Sequence, residues 1–451
     1  MSKRVLIMVI GTQGDVQPFV ALALALKKRG YEAAIASTTD FKDFITRHGV
    51  EFRDLGGDAQ AFVQRPEFDL LMSRNAFHYA PGLMRDGIRV LREAAKRAWH
   101  AAQDADALVF QNIAGFGIDI AEALGIPSIL AVFQPIYPTN EFPYFEFGLD
   151  PVDPVLYRFA REPFAKSPRL DPLINRLSYV LQQAQQAYWD YPRDQLRRAV
   201  LGLERRRKGN VYRGARGEPL VTLHAYSRAI SPPAGDWPET NIITGFWRLE
   251  ETAPWEPSPE FQAFLAAGTQ PIYLGFGSMP WGAQRNGEII QKAMAMWGGR
   301  IVIGAGWGGI KRETMPPSVH VIERAPHSKL FPMVKAVVHH GGAGTTHTGL
   351  LAGRPTFIVP QFFDQPYWGR LVYELGLGPR PVKARKLTPQ ILASALDDLA
   401  TTPSFATAAA AMGERLRLED GTNRAVDVIE ETIADFRPRV ERKTYLAGAL
   451  P

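Results

Sequence analysis

The stretch Val337-Val338-His339-His340-Gly341-Gly342-Ala343-Gly344-Thr345-Thr346 constrains what this chain can fold into more than any other. Residues 336–338 form a short apolar run of strand type, and the segment after them is too rich in glycine for an ordinary turn. The pattern predicts a helix over 345–352, stopped by Gly353, and a further strand over 356–359. A loop without β-carbons lets a ligand approach backbone N–H groups at a helix N-terminus, where the dipole and unpaired donors favour an anion. His340 stands at the mouth of the loop, and Asp364-Gln365 lie beyond the next strand. A histidine can bind a phosphate oxygen, and a carboxylate beside a carboxamide can clamp sugar hydroxyls. The same spacing also fits a tight turn with a buried histidine and an Asp capping the next helix.

The start of the chain repeats the theme. Residues 5–10 read as a buried parallel strand, and Gly11-Thr12-Gln13-Gly14-Asp15-Val16-Gln17-Pro18 turns into a helix that closes at Gly30. Strands over 33–36, 50–52, 107–110 and 128–132, with a helix over 118–124 and Asp40 capping a short helix, predict a doubly wound parallel sheet. Residues 135–172 lack periodicity and carry many prolines and rings, a texture that in α/β proteins is more often functional than filler. A helix over 172–201 and strands over 220–223 and 242–245 complete a first domain, 1–247. Residues 248–259 read as a linker, 260–430 as a second domain with strands over 271–274, 301–304 and 319–322, and 431–451 as a tail returning to the first. Ligands of such sheets bind beyond the carboxyl ends of the strands, so two facing domains place a site in their cleft.

From Ala325-Pro326-His327 through Gln365 the chain resembles the nucleotide-sugar signature of the UDP-glycosyltransferases, in particular their bacterial and fungal sterol, lipid and antibiotic branch. Residues 11–18 resemble that family's N-terminal motif. The likeness is strong over 271–380, good over 1–37 and poor over 135–215. It implies the GT-B fold, two Rossmann-like domains facing across a cleft, and inverting transfer of a hexose, glucose, from a UDP-sugar to a hydroxyl of an apolar acceptor. On that resemblance Asp15 is the base; His340, Gly342, Ala343, Gly344, Thr345 and Ser278 hold the donor phosphates. Ala325 and His327 hold the uracil edge, and Asp364 and Gln365 the sugar. The chain departs from plant members at Arg324, where they stack a Trp on uracil, and at Thr348, where they carry a Glu for the ribose, so thymidine nucleotides also fit. A nucleotide-sugar epimerase and a non-catalytic binder of lipid or nucleotide are the alternatives, and Asp15 also suits a simple helix cap.

Composition narrows the field. With 451 residues and 46% hydrophobic content the chain suits two or three domains, and the absence of cysteine excludes disulfides, thiolate metal sites and a Cys nucleophile. Six apolar residues before Gly11 are too few for a signal-peptide core, and no run is long enough to span a membrane. A cytoplasmic protein is expected. The net charge of +6 and the cluster Arg205-Arg206-Arg207-Lys208 suit a solvated loop or an anionic membrane surface; without interleaved aromatics they do not suggest nucleic acid. Asp104-Ala105-Asp106 matches a metal-binding D-x-D pattern but leads into an apolar strand and reads as a polar turn. No metal or cofactor is expected beyond the UDP-sugar co-substrate. His78, Phe142 and Tyr144 are candidate acceptor contacts.

Overall fold

Short apolar runs build the core of each half. In the computed structural model, residues 2–68, 70, 80–144, 171–204, 212–214, 217–250, 255–276, 283–304, 316–323, 325–361 and 363–437 are described. The first sheet contains β1 (Arg4–Met8), β2 (Glu32–Ser37), β3 (Glu51–Asp54), β4 (Ala107–Gln111), β5 (Ser128–Val132), β6 (Thr222–His224) and β7 (Asn241–Ile243), in the order β3-β2-β1-β4-β5-β6-β7. The second contains β8 (Ile272–Gly275), β9 (Ile301–Gly304), β10 (Val319–Ile322), β11 (Ala336–His339) and β12 (Thr356–Ile358), in the order β10-β9-β8-β11-β12. Pairing is parallel throughout both sheets.

Helices cover these sheets, so the central strands are apolar on both faces. In β1, Val5 and Ile7 join one core while Leu6 and Met8 join the other. Among the helices are α1 (Gln13–Lys28), α2 (Ala80–Ala101), α3 (Gly117–Leu124), α4 (Asp171–Ala199), α5 (Pro259–Ala266), α6 (Ala283–Trp297), α7 (His327–Leu330), α8 (Ala343–Leu351), α9 (Gln365–Glu374), α10 (Pro389–Thr401), α11 (Pro403–Arg417) and α12 (Gly421–Asp435). Strand order reverses between β1 and β4 in the first sheet and between β8 and β11 in the second. At such points the outgoing loops diverge and leave a crevice beyond the strand ends. Asp15 follows β1 and Gln111 ends β4; His340 follows β11.

The halves share a packed seam. Tyr226 and Ile230 belong to one core with Leu350, Tyr367 and Trp368. Across it Ser231 Oγ and Tyr367 Oη lie 2.8 Å apart, and the Ser227 N–H donates to His347 Nε2 at 3.1 Å. The Ser227 hydroxyl donates to Glu419 Oε1 at 2.7 Å. The chain then crosses back: Val426, Ile429 and Ile433 of α12 pack with Phe19, Val20 and Trp247. A Cβ on Gly421 would stand 2.6 Å from the Gly245 carbonyl carbon, so only glycine permits this crossing.

Several expectations need correction. The return to the first half is made by Gly421–Asp435, earlier than the expected tail after 430, because its apolar face completes the core beside α1. Asp40 does not cap its own helix; its carboxylate accepts the N–H groups of Ala59 and Gln60 at 3.4 and 3.3 Å, the start of a different short helix. The long helix α2 went unread, although Ala94, Ala95, Ala98 and Trp99 supply its buried face. Asp104 pairs with Arg53 and Arg4, and Asp106 accepts the Arg4 N–H at 2.8 Å, as suits a polar turn.

Candidate active site

The first loop is built around one carboxylate. Thr12 stands at the N-cap of α1, and Asp15 folds back so that its Oδ2 accepts the Thr12 N–H at 2.7 Å and the Thr12 hydroxyl at 3.0 Å. A Cβ on Gly11 would lie 2.3 Å from that oxygen, which is why glycine is needed there. The other oxygen, Oδ1, accepts from Gln111 Nε2 at 2.8 Å. Burial raises the Asp15 pKa above its ordinary value of 3.8, against the opposing pull of Thr12 and Gln111. Asp15 is therefore capped and, at the same time, more basic than an exposed Asp.

The second loop is shaped for a close approach. Gly341 has φ +95°, and a Cβ on it would stand 2.5 Å from Ile358 Cγ2. Its N–H donates to His339 Nδ1 at 2.9 Å, which closes the turn after β11. A Cβ on Gly342 would come within 2.7 Å of His340 Nε2, so the missing side chain makes room for the His340 ring. Beside Gly344 there is open space, with nothing within 4 Å of an added Cβ. Gly342 is the N-cap of α8, so Ala343, Gly344 and Thr345 occupy the first turn, whose N–H groups have no helical partner. His340 is half-buried, and among the described residues its Nδ1 has no hydrogen-bond partner. Burial, aided by His327, pushes its pKa down to about 4, so the ring is neutral at pH 7. Ala343 packs against the core cluster holding Val9, Val16 and Phe19, which brings the start of α8 onto the first half.

The remaining candidates fall into three groups. Ser278, Arg324 and His78 lie outside the described residues, as do Arg205 to Lys208. His327 starts α7 with its ring stacked on Phe331 at 4.5 Å and Nε2 3.3 Å from the Tyr273 hydroxyl; Ala325, two residues before it, is half-buried. Asp364 stands at the N-cap of α9, where its Oδ2 accepts from Trp368 Nε1 at 2.7 Å. Phe363 before it has φ +52°, a left-handed conformation that costs a non-glycine residue energy and redirects the chain. Gln365 is buried, and its Oε1 accepts the Gln361 N–H at 2.8 Å, so its carboxamide also supports the loop.

The acceptor candidates separate. Phe142 is half-buried with its ring 6.1 Å from both Trp237 of the first half and Tyr367 of the second. Tyr144 departs from the expectation: it is 6% exposed, and its ring packs edge-on against Tyr179 at 5.7 Å. It is part of the core. Sequence reasoning missed Gln111 and His347. The signal for Gln111 was a polar residue closing the apolar run 107–110 at a strand's carboxyl end; His347 carries no local signal, because its partner Ser227 is distant in sequence.

Two parallel-sheet domains with loops at both switch points are the GT-B arrangement. Residues 5–143 match the glycosyltransferase family 28 N-terminal domain, and residues 298–428 match the C-terminal domain of erythromycin biosynthesis protein CIII-like proteins. The chain belongs to the glycosyltransferase family that contains the sterol glucosyltransferases and the antibiotic glycosyltransferases. It is 31% identical to a sterol 3-beta-glucosyltransferase of Arabidopsis thaliana over 97% of its own length and 69% of that protein. It is also 31% identical to the O-mycaminosyltylonolide 6-deoxyallosyltransferase of Streptomyces fradiae, over 95% of this chain and 97% of that one. Of a sterol 3-beta-glucosyltransferase of Aspergillus clavatus it spans 31%. The glycosyltransferase of kitacinnamycin has the same fold, with a TM-score of 0.67 at 20% identity over 96% of this chain and 100% of that one. No helix among the described residues is long and apolar enough to cross a membrane.

Proposed function

We propose that the chain transfers glucose from a UDP-sugar to the hydroxyl of an apolar acceptor, a sterol in the first instance, with inversion at the anomeric carbon. The observation that carries this reading is the Asp15 carboxylate, raised in basicity by burial, at the first sheet's switch point. Asp15 takes the acceptor's proton as its oxygen bonds to the sugar. The bond from sugar to phosphate breaks, and the electron pair leaves on the phosphate. His340, the amides of Gly342, Ala343 and Gly344 at the start of α8, and the Thr345 hydroxyl take up that charge. Fixed donors and a helix N-terminus suffice for this in principle, without a metal ion or other cofactor. Ala325 and His327 border the base, Asp364 and Gln365 the sugar, and Phe142 the acceptor.

Similarity to sterol 3-beta-glucosyltransferases along nearly the whole chain supports the sterol acceptor. A second reading, transfer of a deoxysugar from a thymidine nucleotide to a polyketide, is favoured by the full-length match to the Streptomyces relative. A transfer screen separates them: UDP-glucose and TDP-sugars, each offered to cholesterol and to a macrolactone. The proposal predicts a β-glucoside of cholesterol from UDP-glucose. Transfer only from TDP-sugars to the macrolactone supports the second reading.

A further inference from the structure

Gln111 makes two hydrogen bonds that together determine which way its carboxamide points. Its side chain is buried, at 2% exposure, at the carboxyl end of β4 beside β1. Oε1 accepts the Ile10 N–H at 3.3 Å, and Nε2 donates to Asp15 Oδ1 at 2.8 Å. A flipped amide would turn its NH2 group toward the Ile10 N–H and its oxygen toward a carboxylate, so both contacts would be repulsive. The backbone of β1 thus sets the orientation, and Asp15 receives a fixed donor.

The two oxygens of Asp15 are not equivalent. Oδ2 holds two donors, the Thr12 N–H and the Thr12 hydroxyl, while Oδ1 holds the single donor from Gln111. An ionised carboxylate offers about two lone-pair sites per oxygen. Oδ2 is filled, and Oδ1 keeps one site. We propose that Gln111 is a positioning residue that presents Oδ1 of Asp15, and not Oδ2, to the acceptor hydroxyl. This inference rests on the reading of Asp15 as the base. In the step itself the hydroxyl proton passes to Oδ1, the freed oxygen bonds to the sugar, and the nucleotide leaves with the electron pair. Gln111 also favours the charged form of Asp15, in the same direction as Thr12 and against burial. Burial, Thr12 and Gln111 are the influences that act most on Asp15, and no charged side chain is among them.

The test is the acid limb of the kcat/KM profile, which reports the free enzyme's base. It is measured with UDP-glucose and cholesterol, with donor hydrolysis followed in parallel. Gln111→Met keeps the volume and removes the donor. The limb should move up by about one pH unit and the plateau should fall roughly 10-fold, while UDP affinity stays unchanged. Gln111→Glu, which keeps the shape, should move the limb up further, because two adjoining carboxyls hold one proton between them. If Gln111→Met does not fold, Gln111→Glu alone decides. A wild-type limb in the folded variants overturns the role of Gln111. Full transfer by Asp15→Asn is a different result, and it overturns the base assignment beneath it.

Discussion

At the residue scale the site depends on a few side chains held in defined protonation states. His340 is neutral, so on the proposed reading it would meet a phosphate oxygen as a hydrogen-bond donor and not as a cation. His340→Ala should weaken UDP binding roughly 10-fold, the order for losing a hydrogen bond to a charged group, and should slow transfer along with it. Calorimetric titration with UDP checks this, and unchanged affinity would return His340 to a packing role. Asp15 works in the opposite direction. Its pKa is raised, so its proton-accepting form is lost at a higher pH than for an exposed Asp, and activity should fall on acidification from above 3.8.

At the scale of elements, sequence periodicity carried most of the fold. β9 and β10 run over 301–304 and 319–322 as expected, since short runs rich in Val and Ile and bounded by turn residues favour strands. The strand order, and with it the two switch points, was not legible, because it depends on which strands pair at long range. The glycine loop was legible because its constraint is local. The role of each glycine was not: Gly341 is fixed by its φ and by Ile358, Gly342 by the His340 ring. Gly341→Ala should lower stability by about 1–3 kcal/mol and weaken UDP binding, as thermal denaturation and titration would show. Asp364 anchors its loop through Trp368 and, on the proposed reading, also holds the sugar. Asp364→Asn keeps an acceptor for Trp368, so it should spare the melting temperature while blurring UDP-glucose from UDP-galactose; Asp364→Ala should damage both. Intact sugar discrimination in both variants would leave Asp364 as an anchor only.

At the scale of the whole molecule, a neutral histidine helps tie the two halves together. His347 is fully buried: Nδ1 donates to the Ala343 carbonyl at 2.7 Å, Nε2 accepts from Ser227, and the ring stacks on Phe246 at 5.0 Å. Burial lowers its pKa from 6.5 to about 4. The folded state then binds fewer protons than the unfolded chain, so stability should fall as pH drops from 6.5 toward 4. His347→Gln, which does not titrate, should show a shallower decline in melting temperature over that window; an identical slope would remove His347 from the effect. Transfer should also survive EDTA, because the leaving charge is assigned to His340 and the start of α8. Loss of activity restored by a divalent ion would contradict that assignment.

The proposed division of labour between the halves, with donor held by the second and base supplied by the first, has a direct measurement. Asp15→Asn keeps the shape of the side chain and removes its ability to take a proton. UDP titration and cholesterol glucosylation on the same preparation should show donor affinity within error of wild type and transfer reduced by at least ~100-fold. Transfer at the wild-type rate, or a parallel loss of UDP binding, would contradict it.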